Sequence, residues 1–126
     1  MGRSIIYTKN APEPIGPYSQ GVKAGNTLYV SGQIPIVPET GQMISDDITK
    51  ETNQVMKNLW SILNAAGMDF SNVVKCSIFV TDLRDFPIIN ASYEKYFDGE
   101  EPARETVQVA ALPKGAHVEI SCIAVD

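Results

Sequence analysis

"DDITKETNQVMKNLWSILNAAG", residues 46–67, is the most strongly patterned stretch of the chain. Ile48, Val55, Met56, Leu59, Ile62, Leu63 and Ala66 recur at the spacing of one helix face, which predicts an amphipathic helix. Asp46, Asp47 and Glu51 put negative charge at its start, and Gly67 suits the left-handed residue just past its end. Directly afterwards the period changes. "NVVKCSIFVT" (72–81) alternates as a strand, with Val74, Cys76, Ile78 and Val80 on one face and Val73, Ser77 and Phe79 on the other.

Working outward, "GVKAGNTLYVSGQIPI" (21–36) reads as a hairpin turning at Gly25-Asn26, with strands over Val22–Ala24 and Thr27–Gln33. Before it, "NAPEPIGPYSQG" (10–21) holds three prolines and two glycines and predicts an ordered, extended loop. Downstream, "DFPIINASYEKYFDG" (85–99) predicts a second helix, with Asp85 as cap, Pro87 early and Gly99 just past its end. Two strands close the chain, about 104–111 and 117–125, and the "PKGA" turn between them suggests a hairpin. The order β-β-α-β-α-β-β is an α+β pattern in one domain over residues 1–126. Two helices cover only one face of a five- or six-stranded sheet. The other face mixes polar groups with Ile123, Val73 and Phe79, so a second copy of the chain is expected to cover it.

Composition narrows the partners. A net charge of −5 and seven scattered lysines disfavour a nucleic-acid backbone or an anionic membrane. No segment has the length or apolarity of a membrane span or a secretory signal, so the cytoplasm is the expected location. Cys76 and Cys122 sit in apolar runs and read as core, and the single histidine, His117, reads as a surface residue beside a turn. Neither a metal-binding cluster nor a nucleotide-binding or nucleophile motif is present, so no metal and no cofactor is expected.

What remains is a set of isolated signals. Arg104 stands at the mouth of a strand in "EPARETVQVA" (100–109). It is either a solvent-facing end paired with a nearby carboxylate, the commoner case for an arginine, or a planar fork that receives an anion. Glu119 lies between Val118 and Ile120, either as the outward residue of a half-buried strand or, if covered, as an acid or base. Tyr18 in "GPYSQG" plugs the core or faces a ligand, and Gly32 in "VSGQIP" marks a bulge or a close approach to the backbone. Asn90 is a polar residue near the start of the second helix.

"GPYSQGV", "LYVSGQIP", "NVVKCSIFVTDLRDF", "NASYEKYF" and "PARETVQVAALPKGAHVEI", in this order over essentially the whole chain, resemble the Rid family of reactive intermediate deaminases, also called the YjgF family. The resemblance implies a chorismate-mutase-like fold and a homotrimer with ligand clefts between subunits. It also implies hydrolysis of 2-imino and enamine acids (2-aminoacrylate, 2-iminopropanoate, 2-iminobutanoate) to 2-oxo acids and ammonia. By matching position, Arg104 would grip the substrate carboxylate and Glu119 would hold and help activate water. Tyr18, Ser31, Gly32 and Asn90 would line the cleft, and Thr106 stands where many members carry cysteine. Glu105 departs from the small or apolar residue usual after the arginine; alternation turns it away from Arg104. The competing functions are a trimeric module that senses 2-oxo acids without turnover and, more remotely, an RNA-directed inhibitor of translation.

Overall fold

The computed structural model describes residues 2–126. Six strands, β1 (Arg3–Ile6), β2 (Gly21–Ala24), β3 (Thr27–Gln33), β4 (Val73–Val80), β5 (Ala103–Gln108) and β6 (Val118–Val125), form one mixed sheet. Two helices, α1 (Ile48–Ala65) and α2 (Phe86–Tyr93), pack on one of its faces, as the α+β reading requires.

α1 begins where Asp47 accepts a hydrogen bond from the Lys50 amide at 3.1 Å, satisfying one of the free amides of the first turn. It ends with Gly67 at φ 75°, a conformation that a side chain would strain. Its apolar stripe, Val55, Met56, Leu59, Ile62 and Leu63, is buried against Leu28, Val30, Ile78, Val80, Ile120 and Cys122 of the sheet. α2 is shorter than the sequence pattern suggests, because its flanks tighten into 3₁₀ turns at Leu83–Asp85 and Glu94–Tyr96. Asp85 makes no capping bond; Asp82, one turn earlier, accepts from the Arg84 amide.

Three sequence expectations are corrected. First, β1 has no counterpart in the sequence reading: it is four residues long, three of them exposed, and shows no alternation of burial. Second, Val73 is buried and Val74 is exposed, because a bulge between Val73 and Lys75 shifts the register of β4 by one residue. Third, β5 and β6 are not a hairpin. The sheet order is β1-β2-β3-β6-β4-β5, with β6 antiparallel to both β3 and β4 and with β5 parallel to β4 at the edge. Each helix is therefore a crossover between parallel strands, β3-α1-β4 and β4-α2-β5, and crossovers of one hand put both helices on the same side. The last strand fills the gap that the first crossover leaves.

The register assigns each residue a face. Arg104 lies opposite Cys76 and Thr106 opposite Ile78, on the helix side. The open side carries cross-strand rows: Tyr29, Ile123 and Lys75, then Ser121, Ser77 and Glu105, then Glu119, Phe79 and Val107. Tyr29 is 51% exposed and Val107 41% exposed on this open face. Among the described residues no helix is long and apolar enough to cross a membrane.

Candidate active site

The residues singled out in the sequence fall into two groups on opposite sides of the sheet. Tyr18, Ser31, Gly32 and Glu119 line a cavity of about 370 Å³, together with Pro12, Glu13, Ile15 and Ile34. Asn90 and Arg104 line a second depression of about 350 Å³, and Thr106 borders Arg104 in a third beside Leu83 and Phe86.

The first cavity is built by the loop of residues 7–20 folding over β3. Gln20, 1% exposed, fastens that loop: its Oε1 accepts from the Thr8 amide at 2.7 Å, and its Nε2 donates to the Thr8 and Pro12 carbonyls at 2.9 and 3.0 Å. Ser31 adds two ties, donating its hydroxyl to the Ser19 carbonyl at 2.5 Å and its amide to the Gln20 carbonyl at 2.9 Å. The Ser31 hydroxyl thus holds the loop in place. The Tyr18 ring is half exposed, and its hydroxyl accepts from the Ile15 amide at 3.4 Å.

Gly32 sits at the bulge that its sequence context suggests, but the close approach comes from a side chain and not from a ligand. A Cβ at this position would lie 2.5 Å from Glu119 Oε2 and 2.9 Å from its Cδ. The glycine is the space into which the Glu119 carboxylate packs. Burial pushes the Glu119 carboxyl above its ordinary value, and it forms no ion pair among the described residues. A carboxyl so placed exchanges a proton closer to neutral pH than a solvated one.

The second group is built on α2. Arg104 Nη1 donates to Asn90 Oδ1 at 2.7 Å, and its guanidinium carbon lies 5.1 Å from the Tyr93 ring centre and 5.4 Å from that of Phe86. Arg104 forms no ion pair among the described residues, so it is not the surface salt bridge that an isolated arginine suggests. Glu105 does point the other way. It accepts from the Ser77 hydroxyl and pairs with Lys75 at 3.0 Å, contacts that hold its carboxyl below the ordinary value. The two buried side-chain oxygens that lack a partner among the described residues are Tyr93 Oη and Thr106 Oγ1, one beneath Arg104 and one two residues along its strand.

His117 is more than a turn residue. Its Nδ1 lies 2.7 Å from Oε2 of Glu51, which is 1% exposed, and its amide donates to Oε1 at 3.2 Å. This pair ties the start of β6, two residues before Glu119, to the first turn of α1. Nothing in the sequence pattern separates Glu51 from an ordinary first-turn acid.

Comparison with known proteins places the chain. The sequence profile of the endoribonuclease L-PSP family, to which the Rid and YjgF proteins belong, matches residues 8–126. The chain belongs to this family. It is 51% identical over 128 residues to protein DfrA of Myxococcus xanthus, covering 100% of this chain and 98% of that one. It is 49% identical over 124 residues to the 2-iminobutanoate/2-iminopropanoate deaminase of Mus musculus, covering 98% of this chain and 92% of that one. The crystal structure of E. coli TdcF with bound serine superposes with a TM-score of 0.94 at 42% identity, covering 98% of each chain. Family and fold are thus as the resemblance implies.

Proposed function

We propose that this Rid-family protein hydrolyses small 2-imino acids and their enamine tautomers to 2-oxo acids and ammonia, at a cleft assembled from two copies of the chain. One observation carries the reading. Arg104 and Glu119 are uncancelled charges in separate cavities, on opposite faces of one sheet with β4 between their strands. A single chain does not offer both to a substrate of a few ångströms. The open face of the sheet, with Tyr29 and Val107 exposed, is the surface on which further copies close a trimer.

In such a cleft the Arg104 fork takes the substrate carboxylate from one copy. From another copy, Glu119 holds a water against the imine carbon. The water oxygen bonds to that carbon, the C=N π pair moves to nitrogen, and the carboxylate takes the water proton. Glu119 then returns that proton to nitrogen. As the C–N bond breaks, its electron pair leaves with ammonia and the carbinol O–H pair becomes the C=O π bond. The hydroxyl proton passes through Glu119 to the ammonia, so that iminium and water give 2-oxo acid and ammonium. An iminium is already electrophilic, and orientation with charge stabilisation supplies the acceleration.

Two relatives support the substrate class: the mouse protein is named for 2-iminobutanoate and 2-iminopropanoate, and TdcF carries serine, whose carboxylate is that of a 2-amino acid. The net charge of −5 and a first cavity without lysine, arginine or histidine speak against RNA. The test is a coupled assay in which a serine or threonine dehydratase generates the imine and oxo-acid formation is followed. Added protein should accelerate it and Arg104→Ala should not; equal rates with and without the wild-type protein would refute the activity.

A further inference from the structure

Phe86, Asn90 and Tyr93 stand at positions i, i+4 and i+7 of α2, one stripe of the helix, and all three meet the Arg104 guanidinium. The two rings approach its carbon at 5.4 and 5.1 Å, inside the range of a cation–π contact, and Asn90 takes one N–H. Its remaining N–H donors have no protein acceptor among the described residues. Glu94 and Glu101 line the same depression without pairing with it.

This is a particular way to hold a cation. A carboxylate partner would cancel the charge and compete with any incoming anion. Aromatic faces stabilise the guanidinium from the side and leave its hydrogen-bonding edge and its charge free. They also restrict a long side chain, so less rotamer freedom remains to be lost when an anion docks.

We propose that Phe86 and Tyr93 are positioning residues that set the plane of Arg104 and thereby the affinity of the site for the ligand carboxylate. The proposal rests on the reading above, in which Arg104 receives that carboxylate. The role is assigned to the ring of Tyr93, which faces the guanidinium, and not to its hydroxyl, which is buried beside the Cys76 thiol.

The test is calorimetric binding of 2-oxobutanoate, and of its uncharged amide, to the assembled protein. Tyr93→Leu and Phe86→Leu should weaken the acid about five- to thirtyfold, the weight of one or two such contacts, and leave the amide unchanged. Tyr93→Phe, which restores the ring, should return the Kd for the acid to within about twofold of wild type. In the coupled assay KM should rise more than kcat falls. Tyr93 is buried in the core, so the half-buried Phe86 provides an independent variant should Tyr93→Leu unfold. The proposal is overturned if Phe86→Leu binds the acid as tightly as wild type, if acid and amide weaken together, or if Tyr93→Phe is as impaired as Tyr93→Leu. Wild-type protein that binds no 2-oxo acid, or Arg104→Ala that binds it equally well, would overturn the underlying reading, and the proposal with it.

Discussion

At the scale of single residues, the site depends on what is missing at position 32. The glycine leaves room for the Glu119 carboxylate, and a methyl group there would meet Oε2 at 2.5 Å. That oxygen is the end of a flexible side chain, so the strand accommodates the change while the carboxylate moves. Gly32→Ala should therefore lower turnover about a hundredfold, as an ångström-scale misplacement does, with little change in melting temperature. Glu119→Gln separates stability from function in a second way. Burial raises the folded carboxyl above 4.5, its ordinary value, so the folded state binds the proton more tightly than the unfolded state. Stability from this group falls as pH rises from that ordinary value through the raised one, and the penalty is complete above it. Glu119→Gln should thus abolish turnover yet melt at or above wild type at neutral pH, with the difference vanishing in acid. Wild-type activity should fall on acidification at a higher pH than a solvated glutamate would give, which a pH–rate profile will read.

At the scale of elements, the loop of residues 7–20 walls the cavity that holds Glu119, and helix α2 walls the depression that holds Arg104. The prolines made the loop legible as ordered, but not the residue that anchors it. Gln20 is a buried amide whose carbonyl and NH₂ groups are both engaged by backbone eight to twelve residues earlier, and no local pattern predicts such a contact. Gln20→Ala would strand the Thr8 amide and the carbonyls it satisfies. We expect a loss of about 1–3 kcal/mol in denaturant unfolding, with hydrogen exchange of residues 8–19 rising more than that of α1. The sequence was more informative for α2. Phe86, Asn90 and Tyr93 are spaced to form a stripe, and Arg104 reaches that stripe because β5 lies at the edge next to the crossover. Where the reading failed, at β5 and β6, the "PKGA" turn has the composition of a hairpin, but the chain passes over the end of β4 instead. Strand order is a tertiary choice that turn chemistry does not encode. A hint was present nonetheless: the helix-side residues of β6 are all apolar, as for a central strand, whereas those of β5 are Arg104, Thr106 and Gln108, as for an edge.

At the scale of the whole molecule, one face of the sheet is buried under two helices and the other presents mixed rows of Tyr29, Ile123, Phe79, Val107 and small polar residues. Alternation along β4 and β6 made this two-sidedness readable, apart from the slip at Val73, where a bulge reversed two residues. The same alternation placed Glu105 away from Arg104, and its partners, Lys75 and Ser77, turned out to belong to its own sheet. Sequence alone did not reveal that Arg104 and Glu119 lie on different faces, because this follows from β4 standing between their strands. In the proposed reaction this separation makes assembly part of the chemistry. Chains of Arg104→Ala and of Glu119→Gln, each inactive alone, should complement one another when unfolded together and refolded as mixed oligomers. With random mixing, about one site in four pairs an intact Arg104 with an intact Glu119 from a neighbouring copy. The most direct measurement is the imine-hydrolysis rate of such a one-to-one mixture, which should recover to about a quarter of wild type. A co-assembled mixture as inactive as its parents would contradict a site shared between copies.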